Sequence, residues 1–66
     1  MPIIEVTMVE GRSAEQIRAL ISGLTSVTEQ AIGAKKESIR VIVRVVPTTH
    51  FAAGDVTLAE REQHNG

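Results

Sequence analysis

The sequence predicts an α/β fold: a βαβ unit with parallel strands and a short C-terminal hairpin or strand, its sheets joined between subunits. Three observations predict it. Residues 2–9, PIIEVTMV, alternate apolar and polar side chains at period two. A capping box then opens a long helical stripe. Residues 39–46, IRVIVRVV, read as a second strand rich in β-branched residues. Two strands bracketing one helix in this order run parallel, with a right-handed crossover.

Each element has its own local reason. In residues 2–9, Ile4, Val6 and Met8 share one face, with Glu5 and Thr7 on the other. Glu10-Gly11-Arg12 is a turn. In Ser13-Ala14-Glu15-Gln16 the serine accepts from the N–H of residue 16 and the glutamine reaches back. Glu15 adds a favourable charge to the first turn. Ile17, Leu20, Ile21, Leu24, Val27, Thr28, Ala31 and Ile32 follow helical spacing. Gly23 leaves room for a close packing contact, and Gly33 ends the helix. Residues 34–38 form a short charged loop. In the second strand Ile39, Val41, Val43 and Val45 make an apolar face, and Arg40, Ile42, Arg44 and Val46 the other. Pro47 stops it. Residues 48–55 form a loop or turn, 56–59 one more short strand, and 60–66 a polar, frayed tail.

Composition bounds the rest. The 66 residues make one domain, 1–66, 42% hydrophobic and 23% charged. Without cysteine there is neither disulfide nor thiolate zinc site. A net charge of −1 argues against nucleic acid or an anionic membrane as partner. No membrane span or signal core is legible, so the expected location is cytoplasmic. A chain this short, with one phenylalanine and no covalent staple, is short of core and needs copies of itself. Ile42 and Val46, on the side away from the helix, then pack against other subunits.

Several side chains can carry chemistry. Pro2 can sit at the start of a strand simply because its missing N–H needs no partner there. Once Met1 is removed, it also carries a secondary amine. A chain-terminal amine titrates at about 7.7–8.0, and both burial and nearby guanidinium groups favour its neutral form. That suits a base for a proton alpha to a carbonyl. Arg12, in the turn, is either solvated or a clamp for a carboxylate. Arg40, on a Val/Ile strand, needs an anion: a glutamate of another subunit or a substrate. Arg44 on the same side pairs with Glu5 or another acid, or adds a second cation for a diacid. His50 lacks a nucleophile and reads as satisfied or solvent-facing. Phe51 is an interface plug or a pocket wall.

Together the stretches MPII, EGRS, IRVIV and HFAAG, in register from Pro2 to about Gly54, resemble the 4-oxalocrotonate tautomerase (2-hydroxymuconate tautomerase) family. The resemblance implies removal of Met1, with Pro2 as base and then acid. It implies that Arg12 and Arg40 bind the carboxylate and 2-oxo oxygen of a small carboxylic acid substrate, and that Phe51 lines the pocket. It implies a homo-oligomer, a hexamer built as a trimer of dimers, with sites drawing on more than one subunit. No cofactor is expected, since the substrate carbonyl serves as electron sink. The loop departs from the usual HFGIGG, which brings Asp55 near the pocket. Two alternatives stand beside the tautomerase: a dehalogenase or hydratase of 3-substituted acrylates on the same scaffold, and a non-catalytic assembly subunit.

Overall fold

The computed structural model describes the backbone of residues 1–65 and the side chains of residues 1–62. Strand β1 (Ile3–Val9) leads through a turn into helix α1 (Ala14–Ile32), which returns to strand β2 (Arg40–Val46). The strands pair in parallel with Ile3 opposite Arg40 and Val9 opposite Val46. The predicted βαβ unit is therefore present. The crossover helix is what allows two strands to run the same way.

Helix α1 starts where its cap requires. Ser13 Oγ accepts from the Gln16 N–H at 3.1 Å, and Gln16 Oε1 accepts from the Ser13 N–H at 2.9 Å. At the other end Gly33 takes φ +70°, a left-handed conformation costly for any residue with a Cβ, and its N–H donates to the Glu29 carbonyl at 3.0 Å. The inward stripe is Ile17, Leu20, Ile21, Leu24, Thr25 and Thr28, all half-buried. Thr25 and Thr28 return their hydroxyls to the carbonyls of Ile21 and Leu24, which removes the cost of burying them. Val27 and Ile32 keep the helical period but stay 56% and 64% exposed. Space within 4 Å of Gly23 is open, so the close contact expected there is not made inside the protomer.

The sheet sorts its side chains by parity. Ile4, Val6 and Met8 face α1 together with Val41 and Val43, all half-buried. Cover thins along β2: Ile39 is 8% exposed, whereas Val45, of the same parity, is 48% exposed. Val46, expected on the uncovered side, is half-buried beside Val9. Ile39 is the only buried residue among those described.

Beyond Pro47 the chain leaves this unit. A single 3-10 turn (Thr48–His50) precedes a hairpin of β3 (Ala52–Ala53) and β4 (Val56–Thr57), and helix α2 (Leu58–Asn65) follows. The hairpin turns on Gly54 and Asp55 at φ +60° and +67°, the positive pair that a two-residue turn matching strand twist demands. The arm contacts mainly itself. The radius of gyration is 15.4 Å, against about 11 Å for a compact chain of this length, and the long axis measures 46 Å.

Two expectations about this arm are corrected. The short strand expected over 56–59 ends at Thr57, and the tail expected to fray over 60–66 is helical through Asn65, with Gly66 outside the described residues. The cause is a second capping box. The Thr57 N–H and hydroxyl donate to Glu60 Oε1 at 3.1 and 2.8 Å, and the Glu60 N–H donates back to Thr57 Oγ1 at 3.1 Å.

Replacing Ser13 with alanine is expected to lower stability by about 1 kcal/mol in denaturant titration, because α1 loses its N-cap. Acid should act on α2. The Thr57 N–H, and after it the Thr57 hydroxyl, hold the Glu60 carboxyl below its ordinary value. A depressed carboxyl supports the fold above its unfolded value of about 4.3, and ceases to as pH falls through the folded value. Far-ultraviolet dichroism should therefore show helix lost on acidification below about pH 4, a loss that Glu60→Ala removes.

Candidate active site

Pro2 precedes β1 and is half-buried. Its carbonyl accepts from the Arg40 N–H at 3.0 Å, so it extends the ladder as an acceptor where its missing N–H is not called upon. Met1 projects from it, 79% exposed. Arg40 is thus Pro2's backbone neighbour, but strand parity sends its side chain to the face away from α1. There its Nη1 donates to the Glu37 carbonyl at 2.7 Å. Pro2 shares the parity of Ile4 and Val6 on the covered side. One protomer therefore brings the two residues together by backbone and parts them by side chain.

Arg12 and Phe51 belong to the opposite end of the sheet. From Ile3 to Val9 a strand advances about 20 Å, and Arg12 lies past that end, exposed in the turn to α1. Glu10 ties the same end to the arm: its N–H donates to the Val46 carbonyl at 2.9 Å, and its carboxylate accepts from the Thr48 N–H at 3.2 Å. Phe51 follows from there, 46% exposed, its carbonyl accepting from the Leu58 N–H at 2.8 Å. The aromatic is held by its backbone while its ring lies open. The Pro2 end and the Arg12–Phe51 end of each protomer are thus separated by the length of its strands.

The remaining candidates fall into plain roles. Arg44 meets Glu5 Oε1 at 3.4 Å, the pairing expected for it as one alternative. His50 is exposed, with Nδ1 3.0 Å from the Thr49 hydroxyl, as expected of a solvent-facing histidine. Asp55 is exposed at the apex of the hairpin, where its conformation makes the turn. Sequence reasoning missed that role, although Gly-Asp between short apolar runs is a hairpin signal. A depression of about 340 Å³ beside α1, bordered by Arg18, Ser22, Ser26, Glu29, Lys36 and Ile39, includes none of Pro2, Arg12, Arg40 or Phe51. No group of three or more His, Asp or Glu side chains among the described residues could hold a metal ion. No helix among them is long and apolar enough to cross a membrane.

Residues 2–61 match the family model of the tautomerase enzymes. A probable tautomerase of Ralstonia nicotianae is 45% identical over 56 residues, covering 85% of this chain and 80% of its own. Among solved structures, TomN, a 4-oxalocrotonate tautomerase homologue of the tomaymycin biosynthetic pathway, superposes with a TM-score of 0.93 at 35% identity, over 98% of this chain and all of its own. A chain of the heterohexamer 4-oxalocrotonate tautomerase of Chloroflexus aurantiacus gives 0.85, also at 35% identity, over 91% of this chain and 97% of its own. With residues 2–61 matched by the family model and these structures superposing over more than nine-tenths of its length, this chain belongs to the 4-oxalocrotonate tautomerase family of the tautomerase superfamily.

Proposed function

We propose that this protein is a tautomerase that moves a proton in an unsaturated 2-hydroxy or 2-oxo acid such as 2-hydroxymuconate. The observation that carries the reading is the position of Pro2: half-buried at the head of the strand, and first in the family match. With Met1 removed, its nitrogen is a secondary amine. It takes the hydroxyl proton of the dienol, the O–H electrons become the carbonyl π bond, and the π electrons of the chain pick up the same proton at carbon. The amine returns to its starting state.

Three side chains serve this transfer. Arg40, released from the Glu37 carbonyl, faces the oxygen on which negative charge develops, the larger electrostatic contribution. Arg12 holds a substrate carboxylate by a forked pair of charged hydrogen bonds. Phe51 keeps water from the amine, which favours its uncharged form. Because the amine and clamp ends of one chain stand apart, a working site takes them from different copies. We read the assembly as a homohexamer, a trimer of dimers, in the cytoplasm. The near absence of buried residues in one protomer, with Ile3 at 60% and Phe51 at 46% exposure, supports burial by neighbours. Hydration or dehalogenation of a 3-substituted acrylate needs a carboxylate to activate water. Ala53 cannot supply one, and Asp55 stands two residues further on, exposed at the apex of the hairpin turn.

Intact mass should be short by one methionine; a retained Met1 blocks the amine and favours an assembly subunit without catalysis. Pro2→Ala is expected to reduce kcat on 2-hydroxymuconate by about 10²–10⁴-fold. Arg40→Ala should lower kcat by about 10²–10³-fold with assembly retained. An unchanged kcat removes Arg40 from the mechanism, and faster turnover of a 3-haloacrylate than of 2-hydroxymuconate overturns the reaction class.

A further inference from the structure

From Pro47 on, the chain is well bonded within itself and joined to the rest at one point. The His50 N–H donates to the Pro47 carbonyl at 2.9 Å, and the Leu58 N–H to the Phe51 carbonyl at 2.8 Å. Ala52–Ala53 pairs with Val56–Thr57. Thr57 and Glu60 cap α2, and Arg61 Nη2 donates to the Ala53 carbonyl at 3.3 Å. Between this arm and the β1–α1–β2 unit there is one hydrogen bond among the described residues: the Thr48 N–H donates to Glu10 Oε2 at 3.2 Å. Glu10 is well placed to hold the junction. Its own N–H donates to the Val46 carbonyl at 2.9 Å, one step beyond the last strand pair, Val9 with Val46. Its carboxylate then meets the chain again two residues later. Thr48 opens the 3-10 turn, and Pro47 at the cap position has no side-chain acceptor to offer it. One residue at the end of β1 thus grips the chain on both sides of Pro47.

We propose that Glu10 is a positioning residue for the tautomerase reaction: it fixes the Phe51 arm against the Arg12 turn, so that both enter a neighbour's site in a set relation. The proposal rests on the reading of Arg12 and Phe51 above and adds the residue that joins them. Arg12 follows Glu10 by two residues, and Phe51 follows Thr48 by three. The two segments leave the sheet separately, one from β1 and one from β2, and the carboxylate of Glu10 is the bond between them. Its weight comes from place rather than strength. A separation of 3.2 Å is at the long end of an ordinary N–H to oxygen bond, and Glu10 is exposed. No second hydrogen bond among the described residues redirects the arm when this one is lost. Glu10 touches no substrate. It acts through Phe51: without the acceptor the arm turns about the Pro47–Thr48 link, and the ring no longer keeps water from the amine.

The chain has no tryptophan, so Phe51→Trp places a single fluorescent reporter at the proposed wall. In that background Glu10→Ala should shift the emission to the red, as the indole meets more water. Glu10→Gln, which keeps an acceptor oxygen, should restore it. With Phe51 in place, Glu10→Ala should lower kcat/KM on 2-hydroxymuconate by about tenfold, and Glu10→Gln should stay within about twofold of wild type. Added to Phe51→Ala, Glu10→Ala should cost less than about twofold more, since the ring it positions is gone. Native mass spectrometry checks that each variant assembles as the wild type does. Where the alanine variant does not, Glu10→Asp takes its place, keeping the charge and drawing the acceptor back by one methylene. Unmoved emission, or equal kinetic losses with and without the Phe51 ring, overturns the proposal. A wild-type protein inactive on 2-hydroxymuconate fails the tautomerase reading, and the fluorescence then still decides whether Glu10 holds residue 51 in place.

Discussion

A two-stranded parallel ribbon under one helix has too few sides to enclose anything. The helix covers one face of the sheet, most fully at the start of β2, and there it produces the one buried residue among those described, Ile39. Everything else apolar remains half covered or open: Val27 and Ile32 on the helix, Ile3 and Ile42 on the far face, and Phe51 on the arm. Burial of apolar surface is the main favourable contribution to folding. A chain that buries so little by itself reaches stability through its neighbours. The elongated outline, with an arm that touches mainly itself, is the same shortage seen as shape.

Strand geometry then divides the chemistry. Alternation sends Pro2 and Arg40 to opposite sides of the sheet, although their backbones are hydrogen-bonded. The parallel run of β1 and β2 carries Arg12 and Phe51 to the far end. No rotamer change closes a gap of about 20 Å. Assembly therefore serves two purposes in the proposed enzyme: it covers the apolar faces and it brings one chain's clamp to another chain's amine. The hydrogen bond from Arg40 to Glu37 has a matching logic. It satisfies a guanidinium for which the protomer offers no carboxylate among the described residues, and in the proposed enzyme the substrate supplies that anion.

The C-terminal arm shows how local chemistry can override a plausible pattern. Polar composition over 60–66 reads as a frayed end, yet Thr57 and Glu60 satisfy each other's backbone groups and start a helix there. The departure from the family's usual loop has a similar explanation. Asp55 tolerates positive φ, so Gly54-Asp55 makes the tight turn that holds β3 against β4.

The β1–α1–β2 order, both helix boundaries and the parallel pairing could be read from the sequence, because each rests on local rules: period two, period 3.6, a serine cap and a glycine stop. The identities of Pro2, Arg12, Arg40 and Phe51 as candidates were legible too, through residue chemistry and family resemblance. Three things were decided only in three dimensions. Arg40 turns to the Glu37 carbonyl, Arg44 selects Glu5 over other acids, and the four candidates separate into two ends of one protomer. The reason is that a pattern of side chains fixes which face a residue occupies. How far apart two faces lie, and whether one chain or several must close the distance, depends on strand length, register and the limited cover a single helix can provide.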